Sequence, residues 1–267
     1  MIQLTIDGPI ARVTLDHPQN LNALGPWFWD EMPRVFGEID ENRDVRVVLL
    51  SGAGRAFTAG LDLMGMMPRL PIAGGPPDGL RQARLHQFIR ELQGAITCVE
   101  RCRVPVIAAV HGYCLGGGID LITAADVRLA AADAVFSVRE VKLAIVADLG
   151  TLQRLPRIVG AGHARELALT GRDFDAAYAQ RIGLVTQVLS DHAALMAAAE
   201  AMAVEIAENP PLAVQGTKKV MIEATRGAID RELEYVATWN AAHLVSQDLG
   251  VAVTAYVSKQ KPEFSGR

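Results

Sequence analysis

The stretch PVIAAVHGYCLGGGIDL, residues Pro105–Leu121, joins an apolar run to a triple glycine. Its apolar part, Val106–Val110, does not alternate with polar residues, which is typical of a strand buried on both faces of a sheet. The glycines Gly116–Gly118 let the backbone approach a ligand closely and leave free N–H groups where a helix begins. We therefore predict a buried strand, a glycine turn and a helix, in this order.

An earlier part of the chain repeats this pattern. The apolar run Val45–Leu50 is followed by AGLDL (Ala59–Leu63), which matches GGIDL (Gly117–Leu121). Short predicted strands alternate with helices as far as about residue 190, and the sequence from Asp191 onward is helical and rich in alanine. This order predicts an α/β fold, with a repeated β/α core over residues 1–190 and a helical region over residues 191–267.

Three further segments can be assigned from local signals. The N-terminal strands Ile2–Asp7 and Ile10–Asp16 are predicted to form a hairpin. Asn22 is expected to cap a helix that ends near Ile39, and a long amphipathic helix is expected over Leu80–Cys102. Between these helices, the loop Pro68–Gly79 contains four prolines and three glycines. This composition predicts a mobile surface loop.

The bulk composition limits the function. The chain has 267 residues, half of them hydrophobic, and a net charge of −4 with acids and bases mixed. It lacks a basic block for nucleic acid and an apolar run long enough for a membrane. Cys98, Cys102 and Cys114 show no metal-ligand spacing and indicate reduced thiols. Because neither end resembles a targeting signal, the predicted location is cytoplasmic.

Three acids stand in apolar sequence and are candidates for proton transfer. Asp120 follows the triple glycine, and Glu140 and Asp148 lie eight residues apart within VREVKLAIVADLGTLQRLP. Each also has a structural interpretation. Asp120 could serve only as an acid at a helix start, Glu140 as a surface ion-pair partner, and Asp148 as the cap of a helix near Gly150. The residues alone leave both interpretations open.

The segments AFTAGLDL (Ala56–Leu63) and Pro105–Leu121 resemble the two oxyanion-hole segments of the crotonase, or enoyl-CoA hydratase/isomerase, superfamily. The resemblance covers nearly the whole chain. It implies a spiral of repeated ββα units, with a helical C-terminal region that forms homotrimers or hexamers. It also implies that the N–H groups of Leu61 and Gly117 hold the thioester oxygen of an acyl-CoA, and that the Ala59 carbonyl contacts the adenine region.

Within the superfamily, the acids resemble those of the Δ3,5-Δ2,4-dienoyl-CoA isomerases, in which all three positions are acidic. In hydratases the position of Asp120 is usually Glu, and that of Asp148 is usually not acidic. The resemblance thus implies isomerisation of a 3,5-dienoyl-CoA to a 2,4-dienoyl-CoA. The alternatives are a 2-enoyl-CoA hydratase, a Δ3,Δ2-enoyl-CoA isomerase or a non-enzymatic RNA-binding member. Against RNA binding, the most basic helix candidate, at Lys218 and Lys219, is short.

These inferences define the predicted site. We expect Glu140 to remove the C2 proton, Asp148 to deliver a proton to C6, and Asp120 to support Glu140. No metal or separate cofactor is expected, because coenzyme A is part of the substrate. The C-terminal Lys259 could contact coenzyme A, or it could belong to a solvated tail. The residues expected to bind the substrate are Ala59, Gly60, Asp62, Gly116 and Lys259.

Overall fold

A computed structural model describes residues 1–71 and 78–267 of the chain. The first two strands form the predicted hairpin: β1 (Ile2–Asp7) pairs antiparallel with β2 (Ile10–Leu15). Strand β2 then joins a sheet of six strands in the order β1-β2-β3-β4-β6-β9, and every pair after the hairpin is parallel. The remaining strands of this sheet are β3 (Val47–Gly52), β4 (Val106–Val110), β6 (Val127–Ala131) and β9 (Gln187–Leu189).

A smaller sheet runs beside the first, in the order β5-β7-β8. Its strands are β5 (Tyr113–Leu115), β7 (Val135–Ser137) and β8 (Phe174–Asp175). One turn of the chain supplies β4 to the large sheet, β5 to the small sheet and then helix α4 (Gly117–Ala124). The preceding unit of the chain repeats this order. It supplies β3 to the large sheet, and Thr58, which follows β3, then forms a bridge to Cys114 of β5 in the small sheet. The predicted α/β fold of repeated ββα units is therefore confirmed.

Helices cover the sheets and make up the C-terminal part of the chain. Helix α2 is a single turn, and α9 is the longest. Their bounds are α1 Pro26–Glu41, α2 Leu63–Met66, α3 Gly79–Arg101, α5 Thr151–Val159, α6 Ala161–Thr170, α7 Ala176–Arg181, α8 His192–Glu208, α9 Pro211–His243 and α10 Gln247–Ser258. Among the helices of the described ranges, none is long and apolar enough to cross a membrane.

The central strands are buried on both faces, as their unbroken apolar runs predict. In β3, Val47 and Leu49 pack against α8, whereas Val48 and Leu50 face the larger core. Helix α8 meets the sheet through small residues spaced four apart, which lie on one face of a helix. This row allows the helix to lie close to the strands; its members are Ala199, Ala203 and Ala207.

Two connecting segments precede helices: the one with Asn22 before α1, and the predicted loop at residues 68–79 before α3. The expectation that Asn22 caps α1 was wrong, because α1 begins at Pro26, after Gly25. The Asn22 amide instead donates to the carbonyls of Ala53 and Ala56, both at 2.8 Å, and so ties down the loop after β3. In the predicted loop at residues 68–79, a 3₁₀ turn covers positions 67–69 and α3 starts at position 79. The mobile part predicted at residues 72–77 lies outside the described residues.

A buried ion pair joins α3 to α5. Arg154 donates from Nε to Glu100 Oε1 at 3.0 Å and from Nη2 to Glu100 Oε2 at 2.8 Å. The Arg154 side chain is only 2 % exposed and that of Glu100 is 17 % exposed. Thr97 Oγ1 accepts a third hydrogen bond from Arg154 at 3.2 Å. The guanidinium therefore depends on these acceptors rather than on water for its stabilisation.

We predict that Glu100→Ala lowers the free energy of unfolding by about 3–5 kcal/mol, because it leaves Arg154 buried without its counter-ion. Glu38→Ala is the matched control, since Glu38 pairs with Arg34 on the surface, and it should change stability by less than about 1 kcal/mol. Urea denaturation at one fixed protein concentration measures both. Equal effects of the two substitutions would contradict a structural role for the buried pair.

Candidate active site

The two glycine segments meet at the edge between the two sheets. Gly60 has φ +88°, and a Cβ added to it would lie 2.5 Å from the Leu115 carbonyl oxygen and 3.6 Å from Gly117 N. A Cβ added to Gly117 would lie 3.9 Å from Leu61 N. The backbone approaches so closely that only glycine fits at position 60. The N–H groups of Leu61 and Gly117 are consequently neighbours, as the family resemblance implies.

Both of these N–H groups remain available to a ligand, whereas the amides beside them are engaged. Gly60 N donates to Thr58 Oγ1 at 3.1 Å, and Gly116 N donates to the Ser137 carbonyl at 2.9 Å. Within the described backbone, neither Leu61 N nor Gly117 N donates to an acceptor. Gly117 is also the first residue of α4, where the helix dipole favours negative charge. Together the two amides can stabilise an oxyanion.

A cavity of about 430 Å³ opens from these amides. Its polar wall carries all three predicted acids, and the rest of the lining is largely apolar. The structure thus brings eight of the ten predicted site residues to one cavity: Ala59, Gly60, Leu61, Gly116, Gly117, Asp120, Glu140 and Asp148.

The other two predicted residues lie elsewhere. Asp62 caps α2 by accepting a hydrogen bond from Gly65 N at 2.9 Å, and Lys259 is the exposed residue after α10. Neither belongs to the cavity lining, although Gln260 does.

Asp120 lies in the first turn of α4 and is 1 % exposed. Its Oδ1 accepts a hydrogen bond from Thr151 N, at the start of α5, at 2.6 Å. Burial raises the pKa of Asp120 above the usual value for an aspartate, and the bond from Thr151 opposes this rise. Asp120 belongs to α4 but accepts a hydrogen bond from the first N–H group of α5. It also lines the cavity.

Glu140 begins a 3₁₀ turn at residues 140–143. A Cβ added to Gly116 would lie 3.3 Å from Glu140 Oε1, which places this carboxyl beside the oxyanion-hole segment. Its Oε2 is buried without a partner among the described residues. Arg139 pairs with Asp173 at 2.5 Å, so the surface ion pair proposed for Glu140 is not formed. Burial, followed by the negative charge of Asp120, raises the pKa of Glu140.

Two helices hold Asp148: α3 and, from the C-terminal region, α9. Its Oδ2 accepts a hydrogen bond from Asn240 Nδ2 of α9 at 2.6 Å, and its backbone carbonyl accepts one from Gln93 Nε2 of α3 at 2.6 Å. It does not cap α5, because the N–H of Thr151 is bonded to Asp120. Burial raises the pKa of Asp148 to about 7, although the bond from Asn240 opposes that rise.

Sequence reasoning missed the partners of Asp148 and the contribution of α10 to the cavity. Asn240 and Gln93 are each 2 % exposed, and Ala252, Ala255 and Tyr256 of α10 line the cavity. Helical spacing placed these residues on helices but could not show which faces turn toward the acids. The one available signal was an amide side chain at a helix position expected to be buried, with no turn nearby that would need it. Such a side chain is expected to have a hydrogen-bond partner.

Comparison with known proteins identifies the relationship. The model of the family "Enoyl-CoA hydratase/isomerase" matches residues 5–267. The chain is 45 % identical over 266 residues to the peroxisomal Delta(3,5)-Delta(2,4)-dienoyl-CoA isomerase of Arabidopsis thaliana, covering 99 % of this chain and 96 % of the relative. The mitochondrial enzyme of that name from Homo sapiens is 42 % identical over 251 residues, with coverages of 92 % and 75 %.

A short-chain-enoyl-CoA hydratase of Clostridium acetobutylicum is more distant, at 35 % identity over 96 % of this chain and 94 % of the relative. Among solved structures, an enoyl-CoA hydratase/isomerase of Mycobacterium paratuberculosis superposes with a TM-score of 0.84 at 30 % identity, covering 95 % of this chain and 97 % of that one. The family model, the sequence identities and the fold therefore agree, and the chain belongs to the enoyl-CoA hydratase/isomerase family.

Proposed function

We propose that this protein isomerises 3,5-dienoyl-CoA thioesters to 2,4-dienoyl-CoA thioesters. The observation that carries the proposal is the third carboxyl, Asp148, in the cavity that already holds Asp120, Glu140 and the two free amides. The relatives named dienoyl-CoA isomerases share more identity with the chain than the named hydratase does. A hydratase needs to handle one water, whereas moving two double bonds requires proton transfer at two distant carbons.

The reaction is a balanced proton shift. Loss of a proton from C2 gives an extended enolate whose charge is shared between the thioester oxygen and the carbons as far as C6. Gain of a proton at C6 then leaves the double bonds at C2 and C4. The N–H groups of Leu61 and Gly117 stabilise the oxyanion as it forms, because they are already oriented toward it. The overall change needs no oxidant and no separate cofactor, since coenzyme A is carried by the substrate.

The positions of the acids support a division of roles between the two carbons. Glu140 Oε1 lies beside Gly116, next to the amide proposed to hold the thioester oxygen, and this supports Glu140 as the acid that acts at C2. Asp148 is anchored to α3 and α9 and serves C6, further along the chain. Asp120 disfavours a second negative charge nearby and thereby helps Glu140 to accept the proton.

The hydrogen bonds of Asp148 and Glu140 favour the proton distribution that follows one turnover. Asn240 donates to Asp148, which favours its ionised form, whereas the partnerless Oε2 of Glu140 favours a protonated Glu140. Isomerisation begins from the opposite distribution, with Glu140 ionised and Asp148 protonated. The cluster must therefore return a proton from Glu140 to Asp148 between turnovers.

We predict that Glu140→Gln and Asp148→Asn each slow isomerisation by about 10²–10⁴-fold, because each removes one proton-transfer group. Formation of the conjugated 2,4-dienoyl thioester from a 3,5-dienoyl-CoA, followed by absorbance, measures this effect. Glu166→Gln, which alters an exposed acid paired with Arg172, is the control and should retain full activity. Rapid hydration of a 2-enoyl-CoA without any conjugation would instead assign the protein as a hydratase.

The pH dependence of kcat should be bell-shaped, with its maximum between the raised pKa values of Asp148, about 7, and Glu140, about 8. Activity falls as pH rises, because Asp148 loses the proton that it must deliver. It falls as pH decreases, because Glu140 gains the proton that it must remove from C2. Ordinary carboxyls, with pKa values near 4, would not produce an alkaline decline at neutral pH. A rate that stays flat from pH 5 to pH 9 would contradict these roles.

We also propose that the chain assembles as a homotrimer or as a hexamer of two trimers. Large apolar side chains are exposed on the C-terminal helices, and monomeric proteins rarely leave such patches uncovered. They are Leu212, Val220, Met221, Tyr235, Trp239 and Tyr256. A cavity of about 670 Å³, lined partly by α9, lies beside Met221 and holds none of the three acids. A second copy of the chain is the proposed occupant of this surface.

Light scattering of the purified protein should give three or six times the chain mass of 28.7 kDa. Replacing Val220 and Met221 together by Glu should shift the mass toward the single chain, because both exposed side chains would then carry charge. The exposed residue Leu169 lies on α6, and Leu169→Glu is the control that should leave the mass unchanged. A monomer at all concentrations of the unaltered protein would refute the assembly.

For location we propose the cytoplasm, on the support of three unpaired cysteines, which fit a reducing compartment. The relatives from Arabidopsis thaliana and Homo sapiens carry the words peroxisomal and mitochondrial in their names. Fractionation of the source cells decides between these compartments.

A further inference from the structure

Asn240 belongs to α9, far from the glycine segments in sequence, but its side chain is buried against Asp148. Its Nδ2 donates to the Val146 carbonyl at 2.8 Å and to Asp148 Oδ2 at 2.6 Å. A backbone carbonyl can only accept, so the contact with Val146 fixes the amide nitrogen, rather than the amide oxygen, toward the acid. The two hydrogens of this one group therefore hold both the backbone and the carboxyl of the same segment.

A second amide holds the same segment differently. Gln93 of α3 donates from Nε2 to the Asp148 carbonyl at 2.6 Å and to the Leu233 carbonyl at 3.0 Å. Its Oε1 accepts a hydrogen bond from Arg90 at 2.7 Å. Gln93 thus fixes the backbone at position 148 but does not bond to the carboxyl. Two buried amides therefore hold this segment, and of these two only Asn240 bonds to the carboxyl of Asp148.

We propose that Asn240 is a positioning residue for proton delivery to C6. By donating to Oδ2, it fixes the rotamer of Asp148 and leaves Oδ1 as the oxygen that carries the proton to the substrate. It also stabilises the carboxylate that remains after the O–H bond of Asp148 breaks and the C6–H bond forms. This role rests on the proposed isomerase function, because hydration of a 2-enoyl-CoA requires no donor at C6.

The surroundings of Asp148 explain why one hydrogen bond matters. Asp120 of α4 raises the pKa of Asp148, and Asp148 in turn raises the pKa of Glu140 in the 3₁₀ turn. Arg139 and Lys142 are the basic residues that line the same cavity.

The groups that contact Asp148 from α3 and α9 are the uncharged amides of Gln93 and Asn240. Burial and Asp120 raise the pKa of Asp148, and Asn240 is the largest opposing influence. Without Asn240, the carboxylate would be left without this stabilisation.

The test compares Asn240→Leu, which has a similar volume but no donor, with Gln93→Met, which loosens the backbone but leaves the carboxyl contact. In Asn240→Leu we expect kcat for 3,5-dienoyl-CoA to fall about tenfold to a hundredfold, with KM unchanged, because a hydrogen bond to a charged group is lost. The pH optimum of kcat should move to higher pH. Gln93→Met should leave that optimum in place, whatever it does to the rate or to stability.

An infrared titration of the ligand-free protein provides a readout that does not depend on activity. The carboxyl band that Asp148→Asn removes should titrate at higher pH in Asn240→Leu and at its original pH in Gln93→Met. Asn240→Ser, which restores a smaller donor, should return the band toward its original position. Asn240→Ala, which also removes the donor, is the second variant if the leucine substitution prevents folding.

An unshifted Asp148 band in Asn240→Leu or Asn240→Ala, together with an active unaltered protein, would overturn the role of Asn240. The same holds for equal shifts in Asn240→Leu and Gln93→Met, which would reduce both amides to structural supports. If the unaltered protein forms no 2,4-dienoyl thioester while its Asp148 band still responds to Asn240, the proposed function fails, and delivery to C6 fails with it. The hydrogen bond would then control only the ionisation of Asp148.

Discussion

The catalytic geometry of this protein depends on the contact between the backbone at Gly60 and the carbonyl of Leu115. A Cβ on Gly60 would lie 2.5 Å from that oxygen, so any other residue would push the two segments apart. Their separation would move the N–H of Leu61 away from that of Gly117, and the two amides could no longer share one oxygen. Two parallel strands, β3 and β4, bring these segments to the same edge of the sheet. The fold thus serves first to hold two peptide groups together.

Three neighbouring carboxyls in a buried wall are energetically unfavourable when they are charged. Hydrogen-bond donors reduce this free-energy cost for two of the three acids. Asp120 is stabilised by the amide of Thr151, and Asp148 by the amide of Asn240, whereas Glu140 has a buried oxygen without a partner among the described residues. The acids consequently differ in how readily each gives up a proton. Acids that differ in pKa can take a proton from one end of a substrate and deliver one to the other end. Three carboxyls of equal pKa would not divide these two roles as clearly.

The helical C-terminal region contributes to the cavity as well as to the exposed surface. Helix α9 carries Asn240 to Asp148, and α10 lines the cavity with Tyr256. The same two helices expose the apolar side chains proposed to bind other copies of the chain. The proposed assembly and the proposed active site therefore share structural elements, and packing between copies would also fix α9, whose Asn240 bonds to Asp148. This arrangement gives a physical reason for a proton donor that is supported from outside the core repeat.

The sequence by itself determined the α/β class, the hairpin, the buried strands and the pairing of two glycine turns, because these depend on local periodicity and on the freedom of glycine. It also singled out Asp120, Glu140 and Asp148, since acids are uncommon in apolar segments. It could not place Asp62 outside the cavity or Asn240 inside it. Asp62 is held by a local bond from Gly65 N, whereas the position of Asn240 is decided by how α9 packs, since Asn240 and Asp148 lie 92 residues apart in the chain. Side-chain contacts across such separations leave no periodic trace in the chain, so only the tertiary structure could decide them.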